Sequence, residues 1–325
     1  MPRAALILAD LYVTPESLPA AAQVRRLPAL ERALARAASR STDVPDWRRW
    51  LQRRLGAPQP TDTGAAWLAT PVHYVAGLDT LRLHGEGLLR LTLGDQQRLA
   101  ADFAQAFHGS GWQLQASGAR EMLLRGPPLA AEAPDPARFA GQSMRAAQPQ
   151  GPGHEALRRL QSEIEMWLHS ADYRGATGSA SLKVNGLWLW GRAFAAAAAS
   201  LSLAGAANED LSEARGAQLF ANDLASRGIA AAAGVAHAGL PGRWQDLAYA
   251  QADLNVVIGL AAGDVTAQLE SIEAYWLEPA LSDLRAGRLA SLELVCGERH
   301  WLIDGAARWR WWRRRRHWMP ELLAC

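Results

Sequence analysis

The sequence predicts an α/β protein. The expected form is a layered sandwich with a central mixed sheet, flanked by helices and carrying an antiparallel hairpin near the C-terminus. Three observations predict it. Leu6-Ile7-Leu8 is a short run apolar on both faces, as in a strand covered from both sides. Stretches with helical and strand-like periodicity are mixed along the chain. Residues 291–295 and 299–303 flank Gly297 as a hairpin.

The elements follow in order. Asp10 lies just past the first strand. Leu27-Pro28 puts proline in a first helical turn, where its missing N–H costs nothing, and Leu30, Ala33, Leu34 and Ala37 repeat at helical spacing. Residues 46–55 form a second short amphipathic helix, followed by a Pro/Gly/Thr loop to Gly64. Residues 67–75 are strand-like, with Pro71 demanding an edge position or a bulge. Residues 81–83 and 89–93 alternate as antiparallel strands do. Asp95 is the expected N-cap of a helix bearing Leu99, Phe103 and Phe107. Residues 112–114 and 122–124 read as paired strands.

Residues 126–153 are rich in proline and glycine. The chain is expected to be one α/β unit over 1–325, with this stretch as a candidate linker dividing 1–125 from 154–325. An amphipathic helix over 154–169 and a loop to Ser181 lead into Lys183-Val184-Asn185-Gly186-Leu187-Trp188-Leu189-Trp190-Gly191. On a strand, Trp188 and Trp190 share one face and Leu187 and Leu189 the other, which predicts a central strand. Downstream, 217–220 and 229–235 are strand-like. Residues 264–286 form a helix that Pro279 kinks or divides, with Gly287 as its C′ residue.

Composition narrows the function classes. The chain has 325 residues, 49% of them apolar, enough to bury a large core, and a net charge of +2 that argues against nucleic acid as the main partner. Lys183 is the one lysine against 33 arginines, a bias that points to a GC-rich bacterial genome. Fourteen tryptophans call for burial or an interface. Two cysteines, Cys296 and Cys325, offer no disulfide framework. No stretch is apolar enough to span a membrane, and the run after Arg3 is too short for a signal-peptide core. A soluble cytoplasmic protein with no membrane partner is expected.

No phosphate-binding glycine loop, metalloprotease helix or nucleophile elbow is present. Asp10 is either a metal ligand or a strand-end carboxylate. His73 and Asp79 either line a pocket or are satisfied internally. Trp188 and Trp190 either stack on a ligand or fill a core. The tail, in which Arg308 to Trp312 lead into Arg313 to Arg316, is either a surface for an anionic partner or an edge strand with solvated arginines.

The Trp stretch resembles the N-x-x-W-x-W-G-G-G signature of RpfE-type regulatory proteins, a family often labelled phosphoglycerate mutase. Trp67-Leu68-Ala69-Thr70-Pro71-Val72-His73, with Asp79 downstream, is similar to that family's W-x-x-A-D-P-V-H segment. Leu160 to Leu168, with Glu163 and Met166, resembles a third segment, and Trp276 to Leu284 plus the tail a fourth. The resemblance implies a remote link to archaeal-type cofactor-independent phosphoglycerate mutases of the alkaline-phosphatase-like superfamily. Asp10 would then stand where a metal-binding aspartate ends the first strand. Two departures qualify it: Arg192 and Ala193 replace glycines, and the superfamily's later Asp-His ligand segments are not visible.

The expected function is therefore that of a regulatory or binding protein, non-catalytic or degenerate, for a protein partner or a small anionic ligand. His73, Asp79, Asn185, Trp188, Trp190, Gly191 and Arg192 are its candidate binding residues. The alternatives are a metal-dependent phosphomutase or phosphatase, and a structural partner docking through the tail. A divalent metal is expected only under the enzyme reading, with Asp10 as its candidate ligand.

Overall fold

The structure is a computed structural model. It describes residues 1–9, 11, 25–41, 46–58, 66–77, 80–177, 180–199, 216–247, 252–259, 265–297, 299–310 and 312–322. A seven-stranded mixed sheet holds β1 (Arg3–Ala9) at its centre. On one side β1 pairs in parallel with β12 (Asp253–Gly259), followed by β10 (Ala217–Phe220) and β11 (Ala236–Ala238). On the other it pairs in parallel with β13 (Ser291–Cys296). The hairpin to β14 (Arg299–Asp304) and the short β2 (Ser39–Ser41) are antiparallel. The expected α/β class, mixed sheet and late hairpin are all present.

The alternation of β1 places its side chains in two cores. Leu6 and Leu8 pack with α1 (Pro28–Arg36), α8 (Glu278–Arg285) and Trp318 of α9 (Trp318–Leu322). Ile7 and Ala9 face the other way, into a core shared with a second sheet. Helices α2 (Trp47–Leu55), α5 (Arg192–Ala199) and α6 (Leu224–Ala233) contribute to that shared core.

The second sheet is organised on β3 (Ala66–Ala76), which pairs with three strands. Its first residues pair with β6 (Met122–Arg125), which continues to β5 (Gln113–Gln115). Its last residues pair with β4 (Leu81–Leu88). On the opposite edge it pairs with β9 (Gly186–Trp190), the Trp stretch. Pro71 precedes a register shift between Val72 and Tyr74, the bulge that a strand proline calls for. A third core beneath this sheet takes Leu187 and Leu189 with α3 (Leu93–Ala106) and α4 (His154–Ser170).

Several expectations are corrected. Among the described strands β9 pairs only with β3, so it is an edge strand rather than a central one. It is buried on both faces because helices and the first sheet cover it. Residues 229–235 lie mostly in α6, which Asp223 caps and Gly234 ends at φ 63; four consecutive alanines favour a helix over a strand. Residues 89–93 are not a strand. Thr92 caps α3 and exchanges hydrogen bonds with Asp95, which sits inside the first turn. The loop to Ser181 contains a hairpin of β7 (Arg174–Thr177) and β8 (Ala180–Lys183). Strand β12 was not anticipated. The tail forms a 3-10 turn over Gly305–Trp309 and then α9, not an edge strand. Pro279 does divide its helix: α7 (Val265–Ile272) passes through a π turn at Glu273–Leu277 into α8.

The proline-rich stretch 126–153 lies against the shared core, burying Ala133 and Ala147 there. It also supplies Asp135 to an ion pair. The guanidinium of Arg48, 1% exposed, sits 4.2 Å from the Trp47 ring and 4.6 Å from the Trp190 ring, and donates to Asp135 Oδ2 at 2.6 Å. No helix among the described residues is long and apolar enough to cross a membrane.

Two expectations follow for stability. Arg48→Met removes the buried ion-pair partner of the Asp135 carboxylate, so urea unfolding should show a loss of about 3–5 kcal/mol. Adding Asp135→Asn, which keeps the acceptor for Ala137 N–H, should recover part of it. Gly186→Ala should cost about 1–3 kcal/mol by overpacking. Its Cβ would lie 2.3 Å from Tyr74 Cε2. An unchanged unfolding midpoint in either single variant would contradict this packing.

Candidate functional site

The residues singled out by the Trp stretch come together along β9, with their polar groups already engaged. Asn185 sits beside the β3 bulge. Its Oδ1 accepts from Tyr74 N–H at 2.7 Å, and its Nδ2 donates to Tyr74 O at 2.9 Å. Its own N–H donates to Val72 O at 3.1 Å. The side chain thus extends the β3–β9 ladder by one backbone-like pair beyond Val72 and Gly186. His73, which faces the extra residues of β4 in the β3–β4 register shift, places Nδ1 2.8 Å from Lys183 O and lies edge-on to His84, with ring centroids 5.8 Å apart.

The indoles are equally committed. Trp188 Nε1 donates to Pro134 O and Trp190 Nε1 to Thr70 Oγ1, both at 2.9 Å, and both rings are buried. Gly191 turns the chain at φ 65 into α5, and its N–H donates to Glu132 Oε1 at 2.8 Å. A helix N-terminus attracts an anion; here the protein's own Glu132 occupies it. Burial pushes the Glu132 carboxyl upward. Hydrogen bonds from the Gly191 and Arg192 amides and the charges of Arg192 and Arg49 oppose this without cancelling it. Arg192 packs its guanidinium 5.8 Å from the Trp67 ring. Asp10 and Asp79 lie outside the described residues. Among the described residues, no three His, Cys, Asp or Glu side chains gather as metal ligands.

Open polar space lies elsewhere, between the C-terminal half of α2 and the face of the seven-stranded sheet. A cleft of about 480 Å³ is lined there by residues that include Arg3, Trp50, Arg53, Arg54, Glu293 and His300. Helical spacing turns Trp50, Arg53 and Arg54 toward it from the last turns of α2. Arg54 Nε donates to Asn255 Oδ1 at 2.7 Å, and its Nη1 pairs with Glu293 Oε1. Arg54 Nη2 has no hydrogen-bond partner among the described residues. His300 Nε2 lies 2.8 Å from Glu293 Oε2, and the imidazole packs 5.4 Å from the Trp50 ring. Arg3 pairs with Asp253 at 2.5 Å. Arg53 is exposed and makes no ion pair among the described residues.

Burial pushes the Glu293 carboxyl upward, but the His300 hydrogen bond and the Arg54 charge outweigh it, and the net shift is downward. Asp253 behaves in the same way. Burial raises it, and the hydrogen bonds from Arg3 bring it below its ordinary value. Both carboxylates are therefore held ionised and spoken for, which leaves the exposed Arg53 as the cleft's positive group without an ion pair among the described residues.

Sequence reasoning did not assemble this cleft. One signal was available: the hairpin around Gly297 sets Val295 opposite His300, so Glu293 is its diagonal neighbour on the same face. The contributions of Arg3 and Asn255 depend on β12 lying beside β1, a long-range pairing.

No protein-family model and no curated protein matches this chain, and the resemblance to RpfE-type proteins gains no support from either comparison. Among solved structures, the chain is similar to a cofactor-independent phosphoglycerate mutase from Thermoplasma acidophilum DSM 1728. The two share 15% sequence identity, with 93% of this chain and 89% of that chain covered, at a TM-score of 0.34. A score of that size carries no argument about chemistry.

Proposed function

We propose that this chain is a binding protein, regulatory rather than catalytic, whose ligand is a small anion held in the α2 cleft. The observation that carries the proposal is the pair Arg53 and Arg54. The Arg53 guanidinium is exposed and unpaired among the described residues, and Arg54 beside it, with its remaining Nη2 buried, holds Asn255 and Glu293, so that the cleft's carboxylates are already neutralised. An arginine fork of this kind suits a phosphate or carboxylate group. The Trp stretch supports the same reading from the other side, because Asn185, Trp188, Trp190 and Gly191 direct their polar groups to other parts of the protein.

Calorimetric titration with inorganic phosphate and with 3-phosphoglycerate tests this. Binding is expected with both, and Arg53→Glu should weaken it at least about tenfold, the equivalent of roughly 1.4 kcal/mol. Equal affinity in wild type and Arg53→Glu would sink the cleft as the site. Turnover of 3-phosphoglycerate with added manganese would sink the non-catalytic reading.

The cleft also has a pH signature. Glu293 has a depressed folded-state pKa, so its contribution to stability is complete above the ordinary carboxylate range and is lost as pH falls through the folded value. His300→Ala removes one cause of the depression. Its acid-unfolding midpoint, followed by circular dichroism, should move to higher pH than that of the wild type.

A further inference from the structure

The tail is a 3-10 turn and a short helix, not an edge strand. It is fastened down along its length. Arg310 pairs with Asp304 at 2.8 Å and donates to Arg36 O at 3.0 Å, and Arg313 donates to Ala37 O at 2.7 Å. Beyond them Trp318 is fully buried, with Nε1 donating to Arg25 O at 2.8 Å. A segment held this firmly could hide its apolar groups. Instead Trp309 and Trp312 are each 63% exposed.

The charge around them is one-sided. Arg314 and Arg315 are exposed and make no ion pair among the described residues. Arg316 is 82% exposed and reaches Glu321 only at 3.8 Å, and Glu321 already pairs with Arg40 at 2.6 Å. Arg36, at the end of α1, lies close enough to Arg315 of the tail for like-charge repulsion. Burial first, and then the charges of Arg315, Arg32 and Arg285, lower the pKa of Arg36. A chain of net charge +2 thus concentrates positive charge on one face.

We infer that this face, with Trp309 and Trp312 among Arg314, Arg315 and Arg316, docks on an anionic phospholipid surface. Indole rings settle at the headgroup boundary, with an apolar body and a polar N–H. Arginines beside them meet the lipid phosphates, each adding attraction that salt screens. Neither indole lines the 480 Å³ cleft or the 330 Å³ cleft beside α1. A single nucleic-acid strand is usually gripped in a groove that tracks its backbone, and the indoles here stand outside both clefts. The surface is separate from the proposed anion cleft and does not depend on it.

Co-sedimentation of the full chain with vesicles tests the inference. Mixed phosphatidylcholine/phosphatidylglycerol vesicles should bring the protein down at low salt, release it at high salt, and bind far more than pure phosphatidylcholine vesicles do. Arg314→Ala/Arg315→Ala should weaken binding at least about fivefold per charge removed. Trp309→Ala/Trp312→Ala should reduce it even at low salt, and both variants should keep the wild-type thermal midpoint. Equal binding to neutral vesicles, no binding to either kind, or retention by both variants would each overturn the inference. Tighter binding to a labelled oligothymidylate than to the anionic vesicles, lost in the same variants, would overturn it in favour of nucleic acid.

Discussion

A buried guanidinium is costly in any fold, and this one is built around Arg48. Moving its charge out of water costs several kcal/mol even after relaxation. The offset includes the Asp135 carboxylate at 2.6 Å, the Asp46 carboxylate at 3.8 Å, the Trp47 face at 4.2 Å and the Trp190 face at 4.6 Å. These partners belong to the proline-rich stretch, to α2 with its N-cap, and to β9. None of them alone could balance the desolvation. The arrangement therefore favours one mutual placement of three segments far apart in sequence, in the core where the two sheets meet.

The same economy explains why the most distinctive motif does so little open chemistry. An aspartate or glutamate near a helix start and an asparagine near a turn are common ways to receive a ligand. In this chain Glu132 fills the α5 N-terminus, and Asn185 extends the β3–β9 hydrogen-bond ladder to Tyr74. The groups that remain available sit on a helix of ordinary appearance. Arg53 and Arg54 carry no motif, and they matter only because the sheet brings Asn255, Glu293 and His300 beneath them.

The fold was legible where local pattern decides it. The double-faced apolar run of β1, the proline at the start of α1, the glycine of the late hairpin and the divided helix at Pro279 all appear as read. Misreadings arose where context decides. Alanine is indifferent to faces, so residues 229–235 offered no period, and the cap at Asp223 settled them as helix. A strand apolar on both faces looks central, yet β9 is an edge strand that other layers cover. For the candidate site, the sequence drew attention to residues whose hydrogen bonds are made within the fold, while the cleft beside α2 rests on strands paired across the chain. Hydrogen-bond satisfaction is a property of pairs, and the partners of Asn185, Trp188 and Trp190 lie 111, 54 and 120 residues away.

The position of β1 has a consequence for how the molecule comes into being. It is the first strand in the chain and the middle strand of its sheet, and both neighbours lie near the other end. Leu6 faces Val256 and Leu294, and the Arg3–Asp253 contact closes a span of 250 residues. Closing loops of that length is slow, because the entropy is lost before any contact rewards it. During synthesis this apolar strand must wait, without either of its sheet neighbours, until β12 and then β13 have emerged. An unpaired apolar strand of this kind is a general aggregation hazard, and α1, which packs on it in the folded protein, is the first element after it that can cover it. A truncation just before β13, which also removes β14 and α9, would leave that strand half-paired, converting a loss at one end into failure at the centre.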